Sequence, residues 1–410
     1  MDKSVMDKSV CERVGLSPDR LGRIDGWMQR WVDSGRLAGM SVLVSRRGHI
    51  AYQSCYGHAD LERGTPMSPD TVVRIYSMTK PLTSVALMML YEEGRFQLDD
   101  PIHAVLPYFK ETRVWAGPDN GENRDPVPLA RPITYRDLLT HTSGLTYGFI
   151  NATPIDAMYR DQGVDFQTAD ATLGDIVRKA ATMPLLAQPG AAWNYSIATD
   201  VIGHLVAEIS GQPFADFLHD RLIAPLGMVN TAFTVAPANI PRFAANYARG
   251  EDGRAALLDD PTTSRFTQPG KIASGGGGLT GTARDYMRFC HMMLNKGLLD
   301  GERFLGRKTV ELMTSNHLGG DMASMGMPRF SESKYDGVGF GLGFSIMLDP
   351  AKAEILGTPG EFAWGGAAST AFWIDPVEDM AVVLLTQLTP SSTYPIRREL
   401  RVLTYAAITD

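Results

Sequence analysis

Apolar residues first recur at helical spacing at Leu21, Ile24, Trp27, Met28 and Trp31, which predicts an amphipathic helix over residues 18–34. The period then changes to that of a strand. Ser41-Val42-Leu43-Val44 and the run from Ile50 to Tyr56 predict two strands joined at Arg46-Arg47-Gly48, a hairpin. Leu82 to Tyr91 is a long apolar run and predicts a buried helix over residues 78–94. Residues 95–135 carry prolines at 101, 107, 118, 126, 128 and 132 and read as irregular, with a surface excursion from Gly117 to Pro128. Thr134 is placed to cap a short helix through Leu139. Further helices are predicted over residues 172–183, 196–210, 213–223, 283–295 (capped by Thr280 or Thr282) and 391–407. Phe340–Met347 and Thr370–Ile374 alternate as strands, and Met380–Thr386 reads as a buried strand.

Strands near both ends with helices between them predict an α+β fold, with a helical region inserted into a sheet drawn from both ends of the chain. The expected partition is a disordered leader of residues 1–15, where Met1–Val5 repeats as Met6–Val10. An α/β domain of residues 16–86, 190–235 and 330–410 follows, with a helical domain of residues 87–189 and 236–329.

Composition narrows the function. The 410-residue chain is 44% hydrophobic and 21% charged, as expected of a soluble globular protein. Its net charge of −7 argues against a nucleic-acid partner. Apolar runs fall short of membrane-spanning length, so no membrane partner is expected and the cytoplasm is the default compartment. Cys11, Cys55 and Cys290 are an odd number at wide spacing, which suggests neither a disulfide framework nor a zinc site. His141, His291 and His317 lack metal-ligand spacing and read as structural.

Three stretches carry chemistry. In Tyr76-Ser77-Met78-Thr79-Lys80, Ser77 and Lys80 sit three residues apart at the start of the apolar helix, on one face. A serine hydroxyl needs a neighbouring base, and a lysine whose pKa is lowered by burial can be that base. Trp193-Asn194-Tyr195-Ser196-Ile197 precedes another helix, where a tyrosine near an ammonium could act as a general base. In Trp364-Gly365-Gly366-Ala367-Ala368, two glycines would let substrate approach the backbone, and the N–H groups could form part of an oxyanion hole. The run Gly275–Gly278 lacks the lysine of a phosphate loop and reads as close packing or a cleft wall.

The order and separation of these three motifs resemble the serine β-lactamase and DD-peptidase superfamily, and within it the family VIII carboxylesterases. The resemblance covers roughly residues 20–405, including His141-Thr142-Ser143-Gly144-Leu145 and Gly276-Gly277-Gly278-Leu279. It implies a β-lactamase-like fold, with an antiparallel sheet flanked by helices, a mainly helical domain and the active site between them. It also implies Ser77 as acylated nucleophile, Lys80 as its activator and Tyr195 as proton relay. The N–H groups of Ser77 and Ala367 would form the oxyanion hole, and Tyr76, Ile197, Trp364, Gly365 and Gly366 would contact substrate. No cofactor or metal is implied. Trp364 stands where the lactamases have a lysine, and Ile197 where class C has an asparagine. Both changes point from anionic amides to small neutral esters, with short acyl chains expected. The alternatives are a β-lactamase, a D-amino-acid peptidase or an acyltransferase on the same site, and a non-catalytic β-lactam-binding homologue.

Overall fold

Strands from the two ends of the chain form one antiparallel sheet in the computed structural model, which describes residues 6–410 apart from 120–121, 124, 166–170, 269, 271 and 327–333. The N-terminal part contributes β1 (Gly39–Arg46), β2 (His49–Asp60) and β3 (Thr65–Pro66). The C-terminal part contributes β4 (Val338–Phe340), β5 (Ser345–Met347), β6 (Phe362–Gly365), β7 (Ala371–Asp375) and β8 (Met380–Thr386). Their order is β4-β5-β6-β7-β8-β1-β2-β3, and the two halves join where β1 pairs with β8. Along β8, Ala381, Val383 and Leu385 face one apolar core while Met380, Val382 and Leu384 face another. A strand covered on both faces has no polar alternation, which is why it reads as one apolar run.

The helices that cover the sheet and frame the site are α1 (Lys8–Arg13), α2 (Arg23–Asp33), α3 (Thr79–Glu92), α4 (Tyr135–Leu139), α5 (Leu173–Thr182), α6 (Ala198–Ser210), α7 (Ala283–Leu294) and α8 (Ile396–Tyr405). Residues of α1, α2 and α8 share the outer core with the strands, and α7 packs on β8, β7 and β1 from the other side. Beyond α7, α3, α4 and α5 gather around α6. Thr79 through Leu90 of α3 are all buried, so the helix has no polar stripe. Thr134 caps α4 in a reciprocal capping box with Asp137, and Thr282 caps α7.

The architecture is the expected α+β one, with local differences. Within the segment expected as a disordered leader, Asp7 caps α1, and Cys11 is fully buried and donates to the Ala51 carbonyl. The helix expected over residues 18–34 breaks at Gly22 into the turn Pro18–Leu21 and α2. Phe340–Met347 is a hairpin of β4 and β5 rather than one strand. Gly343, at φ 96°, sits at its bend, and a Cβ there would lie 2.3 Å from Ser84 Oγ, so glycine lets the bend press onto α3. The domain partition also shifts. Helix α7, assigned to the helical domain, lies on the sheet, whereas α6, assigned to the α/β domain, is the centre of the helical layer. Part of the 117–128 excursion and residues 1–5 of the leader lie outside the described residues.

Candidate active site

The segment leading to Ser77 is held from several sides. Val73–Arg74 pairs antiparallel with Thr280–Gly281. The buried Arg74 guanidinium meets Asp259 at 2.7 Å, the Ala244 carbonyl at 2.6 Å and Ser264 Oγ at 3.0 Å. Tyr76 then adopts a left-handed backbone, φ 43°, which is costly for a residue with a Cβ and persists where surrounding contacts enforce it. Its half-buried ring packs edge-on against Phe266. The one-turn 3₁₀ helix Tyr76–Met78 carries Ser77 and runs into α3.

One turn later the buried Lys80 Nζ lies 3.2 Å from Ser77 Oγ and 3.0 Å from Tyr147 OH, and it donates to the Gly276 carbonyl at 2.7 Å. Burial pushes its pKa down to about 7, against the opposing pull of the Asp200 carboxylate. A neutral amine has two hydrogens and one lone pair. Three partners, one a carbonyl that can only accept, leave the lone pair able to take the Ser77 proton. On the other side of the hydroxyl, Tyr195 OH donates to Ser77 Oγ at 2.6 Å across a sequence separation of 118 residues. The neighbouring amine does not bring the Tyr195 phenol down. Burial dominates and raises it well above its ordinary value, although Ser77 and the Arg397 guanidinium pull the other way. The pair is therefore poised as a neutral amine and a protonated phenol on either side of one hydroxyl.

The third motif lies beside this turn, since β6 packs against Tyr76–Met78. Trp364 is half-buried, with its ring 5.7 Å from that of Tyr195 and 5.3 Å from that of Phe340. Ala367 is exposed, and neither its N–H nor that of Ser77 has an acceptor among the described residues. One expected substrate contact, Ile197, is corrected, and the two glycines prove to have close protein neighbours. A Cβ on Gly365 would lie 2.7 Å from the Arg397 guanidinium carbon, and one on Gly366 would lie 2.4 Å from the Ile75 carbonyl oxygen. Both glycines thus serve protein packing. Ile197 is 1% exposed and belongs to the apolar cluster of Tyr147, Ile155 and Tyr159, behind the site rather than on its surface.

Sequence reasoning missed Tyr147 and Arg397. Tyr147 is fully buried against Lys80, and its phenol is raised well above the ordinary value by burial. It follows the quoted His141–Leu145 stretch by two residues, but neither spacing nor periodicity marks it. Asp200 ties the neighbouring loop into a network: it accepts from Ser274 Oγ at 2.6 Å and from the Gly276 N–H at 3.1 Å. The glycine run is packing, since Cβ atoms at Gly275 and Gly276 would meet the Thr199 carbonyl and Asp200. His141 is buried and kept neutral by burial and by Lys80, with Nδ1 3.2 Å from Ser196 Oγ. Among the described residues, no cluster of His, Cys, Asp and Glu could hold a metal ion.

A family model described as Beta-lactamase matches residues 24–406. The chain belongs to the beta-lactamase family. Its fold is β-lactamase-like, and the solved structure of EstCE1, described as a hydrolase with promiscuous acyltransferase activity, superposes with a TM-score of 0.80 at 27% identity, covering 94% of this chain and 99% of that one. Protein Rv1367c of Mycobacterium tuberculosis is 37% identical, over 87% of this chain and 88% of its own length. Esterase EstB of Burkholderia gladioli is 31% identical over 89% of each. No helix among the described residues is long and apolar enough to cross a membrane.

Proposed function

We propose that this member of the beta-lactamase family is a serine carboxylesterase that hydrolyses neutral, short-acyl esters through an acyl-enzyme on Ser77. The observation that carries the reading is Ser77 Oγ held between Lys80 Nζ at 3.2 Å and Tyr195 OH at 2.6 Å, with Lys80 neutral for much of the population at neutral pH. Neutral Lys80 takes the hydroxyl proton as Oγ attacks the ester carbonyl. The N–H groups of Ser77 and Ala367 receive the oxyanion. Tyr195 gives its proton to the departing alkoxide, leaving a phenolate beside an ammonium. In deacylation the phenolate takes a proton from the attacking water, and Lys80 returns its proton to Oγ as the acid departs. Every proton is accounted for without a metal or organic cofactor.

The names of EstB and EstCE1 support ester hydrolysis. Trp364 supports a neutral substrate, because an indole in place of a lysine offers a carboxylate no cation. Transfer of the acyl group to an alcohol is a second outcome of the same acyl-enzyme, favoured by the activity that EstCE1's description carries. Three buried free cysteines among the described residues support a reducing, cytoplasmic setting. The partner is then a small-molecule ester, with no nucleic acid or membrane involved. The test compares turnover of a p-nitrophenyl butyrate ester and a chromogenic cephalosporin by wild type and Ser77→Ala. Fast ester turnover lost in Ser77→Ala, with slow lactam opening, supports the reading; lactam turnover exceeding ester turnover overturns it. Butyl ester formed when butanol is added measures the share of transfer.

A further inference from the structure

Helix α8 places a cation directly behind the third motif. Arg397 Nη2 donates to the Gly366 carbonyl at 2.7 Å and to the Thr370 carbonyl at 2.8 Å. The same turn is tied internally. The Gly366 N–H reaches the Thr370 carbonyl at 2.9 Å, and the Ser369 N–H reaches the Gly366 carbonyl at 3.1 Å. Ser369 Oγ donates to the Leu388 carbonyl at 2.7 Å, fixing the turn to the strand beyond. On its other side the turn rests on the Ser77 segment, where the missing Cβ of Gly366 leaves room for the Ile75 carbonyl. The Gly366 carbonyl belongs to the same peptide unit as the Ala367 N–H.

We propose that Arg397 is the positioning residue of the oxyanion hole, orienting and polarising the Gly366–Ala367 peptide from behind so that the Ala367 N–H is a stronger donor to the oxyanion. This inference rests on the carboxylesterase reading for the role of Ala367. A hydrogen bond from a charged donor to a peptide carbonyl is stronger than a neutral one, and it strengthens donation by the N–H of that unit. Gly365 is the condition for this arrangement, since a Cβ would lie between 2.7 and 2.9 Å from three guanidinium atoms. The two glycines of the motif thus have separate tasks. Gly365 admits the cation, and Gly366 brings the turn against Ser77. With Trp364 on the strand, positive charge reaches the site through a peptide rather than as an ammonium. Such a site favours charge that develops in the transition state over charge already present on a ground-state substrate.

The experiment compares wild type with Arg397→Met and Arg397→Lys. It measures kcat and KM on p-nitrophenyl butyrate, with active sites counted by a fluorophosphonate, and the affinity of an alkyl boronic acid that forms a tetrahedral adduct on Ser77. Arg397→Met is expected to lower kcat about tenfold with KM changed less than about twofold, a milder loss than the ~100-fold of deleting an oxyanion donor. It should weaken the boronic acid by a similar factor, and Arg397→Lys should recover part of both. A structural role alone would reduce the counted sites while leaving kcat per site and boronate affinity unchanged, and that result overturns the proposal. If Arg397→Met does not fold, Arg397→Lys decides: wild-type kcat and boronate affinity in that variant, with its shorter single-point cation, also overturn it. The boronate affinity reads the hole whichever acyl compound is turned over. Failure of the esterase reading would instead appear as absent ester turnover in wild type.

Discussion

Replacing Asp200 by Asn removes the charge that opposes the burial-driven fall of the Lys80 pKa. The carboxylate raises that pKa and burial lowers it, with a balance near 7. The swap preserves geometry unusually well. Both hydrogen bonds to Asp200, from Ser274 Oγ and the Gly276 N–H, go to Oδ1, which the amide oxygen of Asn reproduces. Oδ2, where the amide nitrogen would sit, has no hydrogen-bond partner among the described residues. Loss of an opposite charge near a buried amine lowers its pKa by about one unit, or about 1.4 kcal/mol. The acid limb of kcat/KM should therefore move from about pH 7 toward about pH 6. At pH 6 the neutral fraction of Lys80 would rise from about a tenth to about a half, so activity relative to the plateau rises about fivefold. The assay is release of p-nitrophenol from the butyrate ester, followed at its isosbestic wavelength across the pH range and normalised to titrated active sites. An acid limb that stays in place or moves to higher pH would refute the assignment of that limb to Lys80.

Other substitutions probe neighbouring parts of the account. In the proposed mechanism Tyr195→Phe removes the proton donor to the leaving group and should lower kcat about 10²- to 10⁴-fold with little change in KM, as read by steady-state kinetics. Lys80→Met should inactivate the enzyme yet stabilise the fold at pH 6, because the fall from 10.5 to about 7 marks a desolvation cost of up to about 5 kcal/mol. That gain should shrink as pH rises from 7 toward 10.5, where the unfolded lysine also loses its proton; urea midpoints at several pH values measure it. Gly366→Ala would press a methyl onto the Ile75 carbonyl and should cost about 1–3 kcal/mol of stability together with activity, seen by denaturation and active-site titration. Tyr405→Phe removes a hydroxyl that lies 2.5 Å from Glu361 and 2.8 Å from Asp375, two buried carboxyl groups, and should cost about 1–3 kcal/mol in urea unfolding without changing kcat.

The segment proposed to carry the nucleophile was legible because its chemistry is local. Ser77 and Lys80 lie one helical turn apart at the head of an apolar helix, and both survive as neighbours in space. Tyr195 was legible by its place before a helix, although its distance from Ser77 comes from the fold. What failed was side-chain direction. Ile197 lies two residues from Tyr195 yet turns into the cluster behind Tyr147 at the cap of α6, and a predicted helix does not by itself say which way its capping residue points. Gly365 and Gly366 were legible as places of close approach, but the approaching groups are Arg397 and Ile75, 32 residues later and 291 residues earlier in the chain. Tyr147, Gly276 and Arg397 are joined to the site by contacts between distant segments, and no local pattern encodes such a meeting. The hairpin of β4 and β5 was hidden because its bend is buried against α3 and therefore as apolar as the strands it joins.

Acid-quenched mass spectrometry during steady-state turnover of p-nitrophenyl butyrate tests the central claim most directly. The account predicts a butyryl increment on the peptide that contains Ser77, absent from Ser77→Ala, together with loss of turnover in that variant. Turnover that persists in Ser77→Ala, or a butyryl group carried by another residue, would contradict it.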